Sequence, residues 1–321
     1  MNVFLAGAAG YVGSRVLDDL LVAGHSVSAL AHSERSRASI LRKHPEVTVV
    51  IGDVGNAEAM QRAMPTGLEA IIYLPGLLRE FPGKGITFQS AHVEGTKNLL
   101  NAWSGASSPA LPANKKQPQP LRWIEMSALG TGPNASTAYY KTKWEAEQHI
   151  RSSDTDWTIL RPSVIFDDRP SDRKNFVGEI AKIIRVSPFI PILGNGEYRM
   201  QPVSVADVSQ TIVQCLAKPE TIGKTYEIGG PEKLTYKEIV TIIADAMGKR
   251  KPSLHIPFVL AETASRVLGG FAFFPFTLDQ LTMLKEENIV RDAAREREWR
   301  ETFVLTGKRF GESVRKAVRV S

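Results

Sequence analysis

The 321-residue sequence predicts an α/β fold, a doubly wound parallel sheet with a smaller C-terminal lobe. Three observations carry that expectation. Short apolar runs of strand length alternate with helically spaced segments through the first 165 residues. A glycine run, Gly7-Ala8-Ala9-Gly10-Tyr11-Val12-Gly13, follows the first apolar run at once and opens a helical stretch. After residue 165 the alternation loosens, and prolines and glycines punctuate the helical stretches.

The elements follow in order. Val3 to Ala6 is the first strand, and Tyr11 to Leu21 has helical spacing. Ser26 to Ala31 is the second strand, and Val47 to Ile51, closed by Gly52-Asp53, is the third. Leu68 to Leu74 is the fourth strand, and Thr87 to Trp103 reads as one helix. Leu121 to Met126 is the fifth strand, Thr137 to Ile150 a helix, and Trp157 to Leu160 begins a sixth strand. Apolar strands separated by helices pair in parallel through right-handed crossovers. Ser104 to Pro120 carries four prolines and two adjacent lysines, so it reads as a surface excursion, holding neither helix nor strand. Further helices are expected at Asn175–Val186, Val205–Ala217 and Tyr236–Met247. Arg291 to Arg300 mixes charges at helical spacing, as a solvated helix face does. The chain thus divides into residues 1–165, carrying the sheet, and residues 166–321, a lobe partly interleaved with it.

Composition narrows the function classes. With 43% apolar and 23% charged residues the chain is globular. Its single cysteine, Cys215, rules out an intramolecular disulfide and suits a reducing, cytoplasmic setting. The net charge of +6 suits an anionic cofactor or the fringe of an anionic membrane, and without a long Lys/Arg block it argues against a nucleic-acid binder. The start lacks the features of a signal peptide, and the apolar stretch Phe258 to Phe276 is interrupted by Glu262 and Arg266, so no transmembrane segment is expected. The histidines form no ligand cluster, and no metal is proposed.

The glycine run has a physical reading. A dinucleotide pyrophosphate must approach backbone amides at a helix N-terminus, where side chains would block it. Gly7 permits a tight turn, Gly10 close approach of phosphates, and Gly13 close packing of helix on sheet. Candidate cofactor contacts here are Gly7, Ala9, Gly10, Tyr11, Val12 and Gly13. The spacing is three and three, against the two and three of the commonest fingerprint.

NAD-specific sites place an acid at the tip of the second strand. Here that strand ends Leu30-Ala31-His32-Ser33, with Glu34 a little late and followed by Arg35 and Arg37. NADP(H) is therefore expected over NAD(H), with His32, Ser33 and Arg35 as phosphate contacts.

A second constellation suggests chemistry. Tyr139 and Lys143 stand four apart on one helix and so point the same way, while Ser127 ends the fifth strand. Hydride transfer at a carbonyl or hydroxyl carbon needs a proton given to, or taken from, the oxygen. A tyrosine does this once its pKa falls from about 10 toward neutrality, which takes roughly 4 kcal/mol of stabilisation from a neighbouring charge such as Lys143. Lys143 would also hold the nicotinamide ribose, and Ser127 the substrate oxygen.

Together these residues resemble the short-chain dehydrogenase/reductase superfamily in its extended or atypical branch. The likeness continues through Gly52-Asp53-Val54, Val93-Glu94-Gly95-Thr96-Lys97-Asn98, Leu160 to Phe166, Pro202 to Val208 and Gly229-Gly230-Pro231. Thr277-Leu278-Asp279-Gln280-Leu281, followed by Glu287-Asn288, is similar to the group around the NAD(P)H-binding accessory subunit of respiratory complex I and its bacterial homologues. The resemblance implies a Rossmann-type fold with cofactor in the N-terminal domain and substrate held by the C-terminal part. It implies that Asp53 and Val54 lie along the adenine, Leu74, Pro75 and Gly76 behind the ribose, and Pro162, Ser163 and Val164 beside the nicotinamide. His92 stands where extended members usually carry Asn.

Two functions of different class follow. One is an NADP-linked oxidoreductase or an epimerase using the cofactor transiently. The other is a non-turnover NADPH-binding subunit of a respiratory, membrane-associated assembly, peripheral at the inner membrane face. Phe271, Phe273, Phe274 and Phe276 could line a pocket for an apolar small-molecule substrate such as a quinone or isoprenoid.

Overall fold

The computed structural model describes residues 1–77, 79–106, 120–169, 175–268 and 277–319. Most of the Ser104–Pro120 excursion, and Phe271, Phe273, Phe274 and Phe276, lie outside the described residues. The chain forms two compact units. The first comprises Met1–Arg161 and Ser209–Tyr226, the second Pro162–Val208 and Glu227–Ser321.

In the first unit the elements run β1 (Asn2–Ala6), α1 (Tyr11–Val22), β2 (Ser26–Ala31), α2 (Glu34–Lys43), β3 (Thr48–Ile51), α3 (Ala57–Ala63) and β4 (Ala70–Tyr73). They continue with α4 (Gly95–Ala106), β5 (Arg122–Met126), α5 (Ala138–Arg151) and β6 (Asp156–Pro162), which ends at the unit's boundary. The second unit holds β7 (Ile165–Phe166), α6 (Phe176–Val186), β8 (Ile190–Leu193), β9 (Arg199–Met200) and β10 (Val203–Ser204). α7 (Val205–Ala217) carries the chain back to the first unit, and β11 (Lys224–Ile228) leads out again. The second unit then resumes with β12 (Leu234–Thr235), α8 (Tyr236–Ala246), β13 (Ser253–Ile256), α9 (Phe258–Leu268), α10 (Leu278–Lys285), α11 (Ala293–Thr302) and α12 (Phe310–Arg319).

The main sheet has the order β3-β2-β1-β4-β5-β6-β11, and the pairings from β3 through β6 are parallel. One face is covered by Met60 and Ala63 of α3, Leu99 and Ala102 of α4 and Ile150 of α5. These pack on Phe4, Ala6, Ile71, Tyr73, Trp123 and Ile159. Central strands buried this way read as continuous apolar runs, which is why the first and fourth were visible as such. The strand order reverses between β1 and β4, whose ends Ala6 and Tyr73 are register partners, so the chain leaves both strands side by side. That reversal is where open α/β sheets bind ligands.

The expected helix over Thr87–Trp103 proves to be two segments, a π-helical turn at Gln89–Glu94 running into α4. The Tyr73 hydroxyl donates to the Ala91 carbonyl at 2.5 Å, and a Cβ at Gly95 would fall 2.0 Å from that hydroxyl oxygen. A side chain entering the helix ladder in this way widens the turn.

In the second unit α6, α8, α10 and α12 bury Ile180, Ile184, Ile239, Ile243, Leu281 and Phe310 around β8. α11 matches the mixed-charge stretch expected at Arg291–Arg300; most of it is exposed, but Trp299 turns inward and is buried.

Candidate cofactor and catalytic site

The glycine turn joins β1 to α1 at the sheet's reversal. Gly7 has φ +89°, a left-handed conformation that favours glycine, and a Cβ there would fall 3.2 Å from the Leu74 Cβ just after β4. Gly10 donates to the Gly7 carbonyl at 2.9 Å and starts α1 without a side-chain cap or an acid in the first turn. A Cβ at Gly13 would lie 2.0 Å from the Gly7 carbonyl oxygen, so helix and turn touch through backbone. Ala9, Tyr11 and Val12 complete a helix N-terminus whose dipole favours an anion. Leu74 is buried and Gly76 exposed on the neighbouring segment.

At the tip of β2 the Ser33 hydroxyl accepts from the Ser36 amide at 3.2 Å and caps α2, while His32 bonds the Ser36 hydroxyl. His32 and Arg35 are exposed, and Glu34 faces Arg37 at 3.5 Å. The Gly52 amide donates to the Ala31 carbonyl, tying the tips of β2 and β3 together. Asp53 is exposed and accepts from the Gly55 amide at 2.9 Å; the Val54 carbonyl accepts from Asn98 at 2.9 Å.

Thr137 caps α5, accepting from the Tyr140 amide at 3.3 Å, and so sets the helix that carries Tyr139 and Lys143. Lys143 is 1% exposed, and its ammonium donates to the Met126 carbonyl at 2.8 Å and the Pro75 carbonyl at 3.2 Å. It therefore bridges the ends of β4 and β5 beside the glycine turn. Ser127 is buried at the end of β5 and donates to Thr131 at 3.4 Å. Tyr139 packs edge-on against Phe88, His92 and Tyr140, with ring centroids 5.3–5.5 Å apart. Burial pushes its phenol up to about 12. Desolvation dominates here, and the Lys143 ammonium is committed to two carbonyls.

The structure adds three residues that motif reasoning passed over as site members, His92, Glu147 and Glu125. His92 sits inside the π-helical turn, accepts from the Leu77 amide at 3.5 Å through Nε2, and meets Thr142 at 2.9 Å through Nδ1. Burial, and then the charge of Lys143, hold its pKa down at about 2, so the ring is neutral and the network places its hydrogen on Nδ1. Glu147, one turn beyond Lys143 and fully buried, is gripped by Arg161 at 2.8 and 2.6 Å and by Arg151 at 3.3 Å. Glu125 is fully buried on β5, where Oε2 accepts from the Trp123 indole at 3.1 Å. Burial raises the Glu125 carboxyl and lowers the Lys143 ammonium, each opposed by the charge of the other. The readable signal was a carboxylate in the otherwise apolar fifth strand.

Pro162, Ser163 and Val164 belong to the second unit. There the Ser163 hydroxyl donates to Asn288 Oδ1 at 2.6 Å, and the Val164 amide donates to the same oxygen at 3.0 Å.

A sheet of this order with a glycine turn at its reversal defines a dinucleotide-binding protein. The model of the NAD(P)H-binding family matches residues 7–219, and the chain belongs to that family. Over 90% of its length it is 26% identical to NADH dehydrogenase (ubiquinone) 1 alpha subcomplex subunit 9, mitochondrial, of Arabidopsis thaliana, spanning 70% of that protein. Over 85% of its length it is 26% identical to N-acetyl-alpha-D-glucosaminyl-diphospho-ditrans,octacis-undecaprenol 4-epimerase of Escherichia coli O157:H7, spanning 78% of that protein. The UDP-glucose 4-epimerase structure from Thermotoga maritima, solved with UDP-glucose, covers 99% of this chain and 98% of its own at 17% identity, with a TM-score of 0.71. The expected Rossmann-type, epimerase/dehydratase-like short-chain dehydrogenase/reductase fold is thereby borne out. Among the described residues no helix is long and apolar enough to cross a membrane.

Proposed function

We propose that the chain is an NADP(H)-linked oxidoreductase or epimerase of the atypical short-chain dehydrogenase/reductase branch, with Ser127, Tyr139 and Lys143 at the reacting oxygen and the cofactor. The observation that carries the reading is Lys143, a buried ammonium held by the Pro75 and Met126 carbonyls at the edge where the sheet reverses. Burying a charge is costly unless it has partners or a task. The fit to a dinucleotide rests on the glycine turn at the N-terminus of α1, where turn and helix meet through the backbone of Gly7 and Gly13.

When bound, the nicotinamide supplies or accepts the hydride. Ser127 would hold the substrate oxygen by a hydrogen bond, and Tyr139 would give or take its proton. Bringing that phenol from about 12 toward neutrality takes about 7 kcal/mol of stabilisation, so Lys143 must act on the phenolate in the occupied site. Lys143 would also donate to the ribose hydroxyls in place of a carbonyl. The substrate class that goes with this reading is an apolar, quinone- or isoprenoid-like small molecule.

NADP(H) is favoured over NAD(H) because no acid stands at the tip of β2, where His32, Ser33 and Arg35 are offered to a phosphate. Titration calorimetry should show NADPH binding at least tenfold more tightly than NADH. Ser33→Asp should reverse the order, and because aspartate caps helices as well as serine, α2 should stay intact. Equal affinities for the two cofactors would refute the preference.

The second reading is a non-turnover NADPH-binding subunit of a respiratory NADH:quinone oxidoreductase-type assembly, peripheral at the cytoplasmic side of the inner membrane. The likeness to the plant mitochondrial subunit favours it, as does a phenol raised by burial. Loss of the absorbance of bound NADPH on adding a panel of ketones and quinones supports the enzyme; unchanged absorbance throughout, with NADPH still bound, supports the subunit.

A further inference from the structure

We propose that Asn288 is a positioning residue for the reacting end of the cofactor, the clamp that sets how the chain leaves β6. β6 pairs in parallel with β5, with Leu160 opposite Met126, and the Ser127 amide donates to the Leu160 carbonyl at 2.7 Å. Pro162 ends β6, so chain continuity alone brings Pro162, Ser163 and Val164 out at the carboxyl edge of the sheet. Ligands of open α/β sheets bind outside that edge. At about 3.3 Å per residue, Ser163 is no more than about 10 Å along the chain from Leu160. The Asn288 side chain takes hold of this exit. Its Oδ1 accepts from the Val164 amide at 3.0 Å. The buried Ser163 hydroxyl shares its single hydrogen between that oxygen at 2.6 Å and the Asn288 carbonyl at 2.9 Å. A backbone amide can only donate, so the atom facing Val164 is the oxygen of the carboxamide.

The segment that carries Asn288 is tied down by other groups. The Asn288 amide donates to the Arg199 carbonyl at 2.8 Å, and its carbonyl accepts from the Gln201 amide at 2.9 Å. Two residues on, the Val290 amide donates to Gln201 Oε1 at 2.9 Å, and the Val290 carbonyl accepts from Lys233 at 2.9 Å. One residue before, Glu287 has φ +60°, the one positive φ outside glycine among the described residues, and Arg199 grips its carboxylate at 2.8 and 3.4 Å. A side chain in that region is strained, and the strain persists where the surroundings over-determine it. The turn fixed in this way turns the next carboxamide onto residues 163 and 164. Removing the carboxamide oxygen should therefore loosen the exit of β6 while residues 287–290 stay seated.

The inference rests on the reading that NADPH binds with its nicotinamide end at Ser127 and Tyr139, and binding by the wild type tests that reading separately. Calorimetry on the full chain compares NADPH with 2′-phospho-ADP-ribose, the same nucleotide without its nicotinamide. Asn288→Leu keeps the size of the side chain and removes the acceptor. It should bind NADPH about tenfold more weakly than the wild type, with the affinity for 2′-phospho-ADP-ribose changed by less than about twofold. Asn288→Asp, which keeps an acceptor oxygen, should restore NADPH binding. Without any ligand, hydrogen exchange at the Val164 amide should be faster in the leucine variant, and exchange at Val240 and Ile243 in the core of the second unit should be unchanged. Where the leucine variant does not fold, Ser163→Ala serves, and it should weaken NADPH binding about threefold with 2′-phospho-ADP-ribose again unaffected. Equal weakening of both ligands, no weakening of either, or a loss that aspartate does not restore overturns the proposal. Wild-type protein that binds neither ligand refutes the cofactor reading instead. Val164 exchange then reports on the clamp alone: faster exchange in the leucine variant upholds it, and unchanged exchange overturns it.

Discussion

Gly13→Ala tests the joint between turn and helix. The new Cβ would fall 2.0 Å from the Gly7 carbonyl oxygen and 2.7 Å from the Gly7 carbonyl carbon. Both are backbone atoms, so no side chain can swing away. Either the turn or α1 must move by more than about 1 Å to reach van der Waals distance. Val16, Leu17 and Leu20 pin α1 in the core and resist that movement. Alanine gains about 1 kcal/mol over glycine in a helix interior. Overpacking costs about 1–3 kcal/mol, and contact between two backbones belongs at the upper end. The net loss is about 1–2 kcal/mol, a fall in Tm of about 2–8 °C for a unit of this size. The displaced turn should also weaken NADPH binding at least tenfold. Thermal unfolding by circular dichroism and calorimetry with NADPH measure the two effects. Gly132→Ala, with nothing within 4 Å of its Cβ, is the control and should be silent. A Gly13→Ala protein as stable as the wild type, with full affinity, would refute the reasoning.

Tyr139→Phe should cut turnover by a factor on the order of 10² to 10⁴ with folding and NADPH affinity kept, and steady-state kinetics on any substrate found in the carbonyl and quinone panel checks it. Arg161→Met should cost about 3–5 kcal/mol in urea unfolding, since Glu147 stays fully buried with Arg151 alone. His92 is protonated below about 6.5 when unfolded but stays neutral when folded, so the unfolded chain binds more protons and stability must fall as pH drops through that range. The wild type should therefore lose up to about 1.4 kcal/mol per pH unit more than His92→Asn between pH 6 and 5; parallel slopes in unfolding free energy would show that His92 is not held neutral.

The parts of the fold that were legible in the sequence are those where one physical demand acts on adjacent residues. Continuous burial wrote β1 from Val3 and β4 as apolar runs, and the turn before α1 demanded glycine at 7 and 13. α2 and α3 escaped the spacing argument because each buries only two residues, Ser36 with Ile40 and Met60 with Ala63, too few to establish a helical period. Their caps, Ser33 and Asn56, were the available signal. Of the candidate site, Tyr139 and Lys143 were visible through their four-residue spacing. Their surroundings were not, because Glu125, His92 and Arg161 come from a strand, a π-helical turn and another strand, and only the folded sheet brings them to α5.

The return of residues 209–226 to the first unit bears on how the protein is made. The Arg122 guanidinium, buried at the start of β5, bonds the Cys215 carbonyl and Thr221 as well as Thr158 on β6. During synthesis its partners on β6 emerge with the first unit, while those on 215–221 follow only after the intervening stretch of the second unit. Until β11 arrives, β6 is an open edge with unpaired amides and carbonyls, and Arg122 waits half-partnered beside it. At 5–20 residues per second the delay between residues 161 and 226 is about 3–13 s, long compared with the collapse of the strands already made. The nascent chain is therefore most vulnerable to edge-to-edge association in that interval, and a ribosome stalled near residue 200 should recruit holding chaperones that one stalled beyond residue 260 does not.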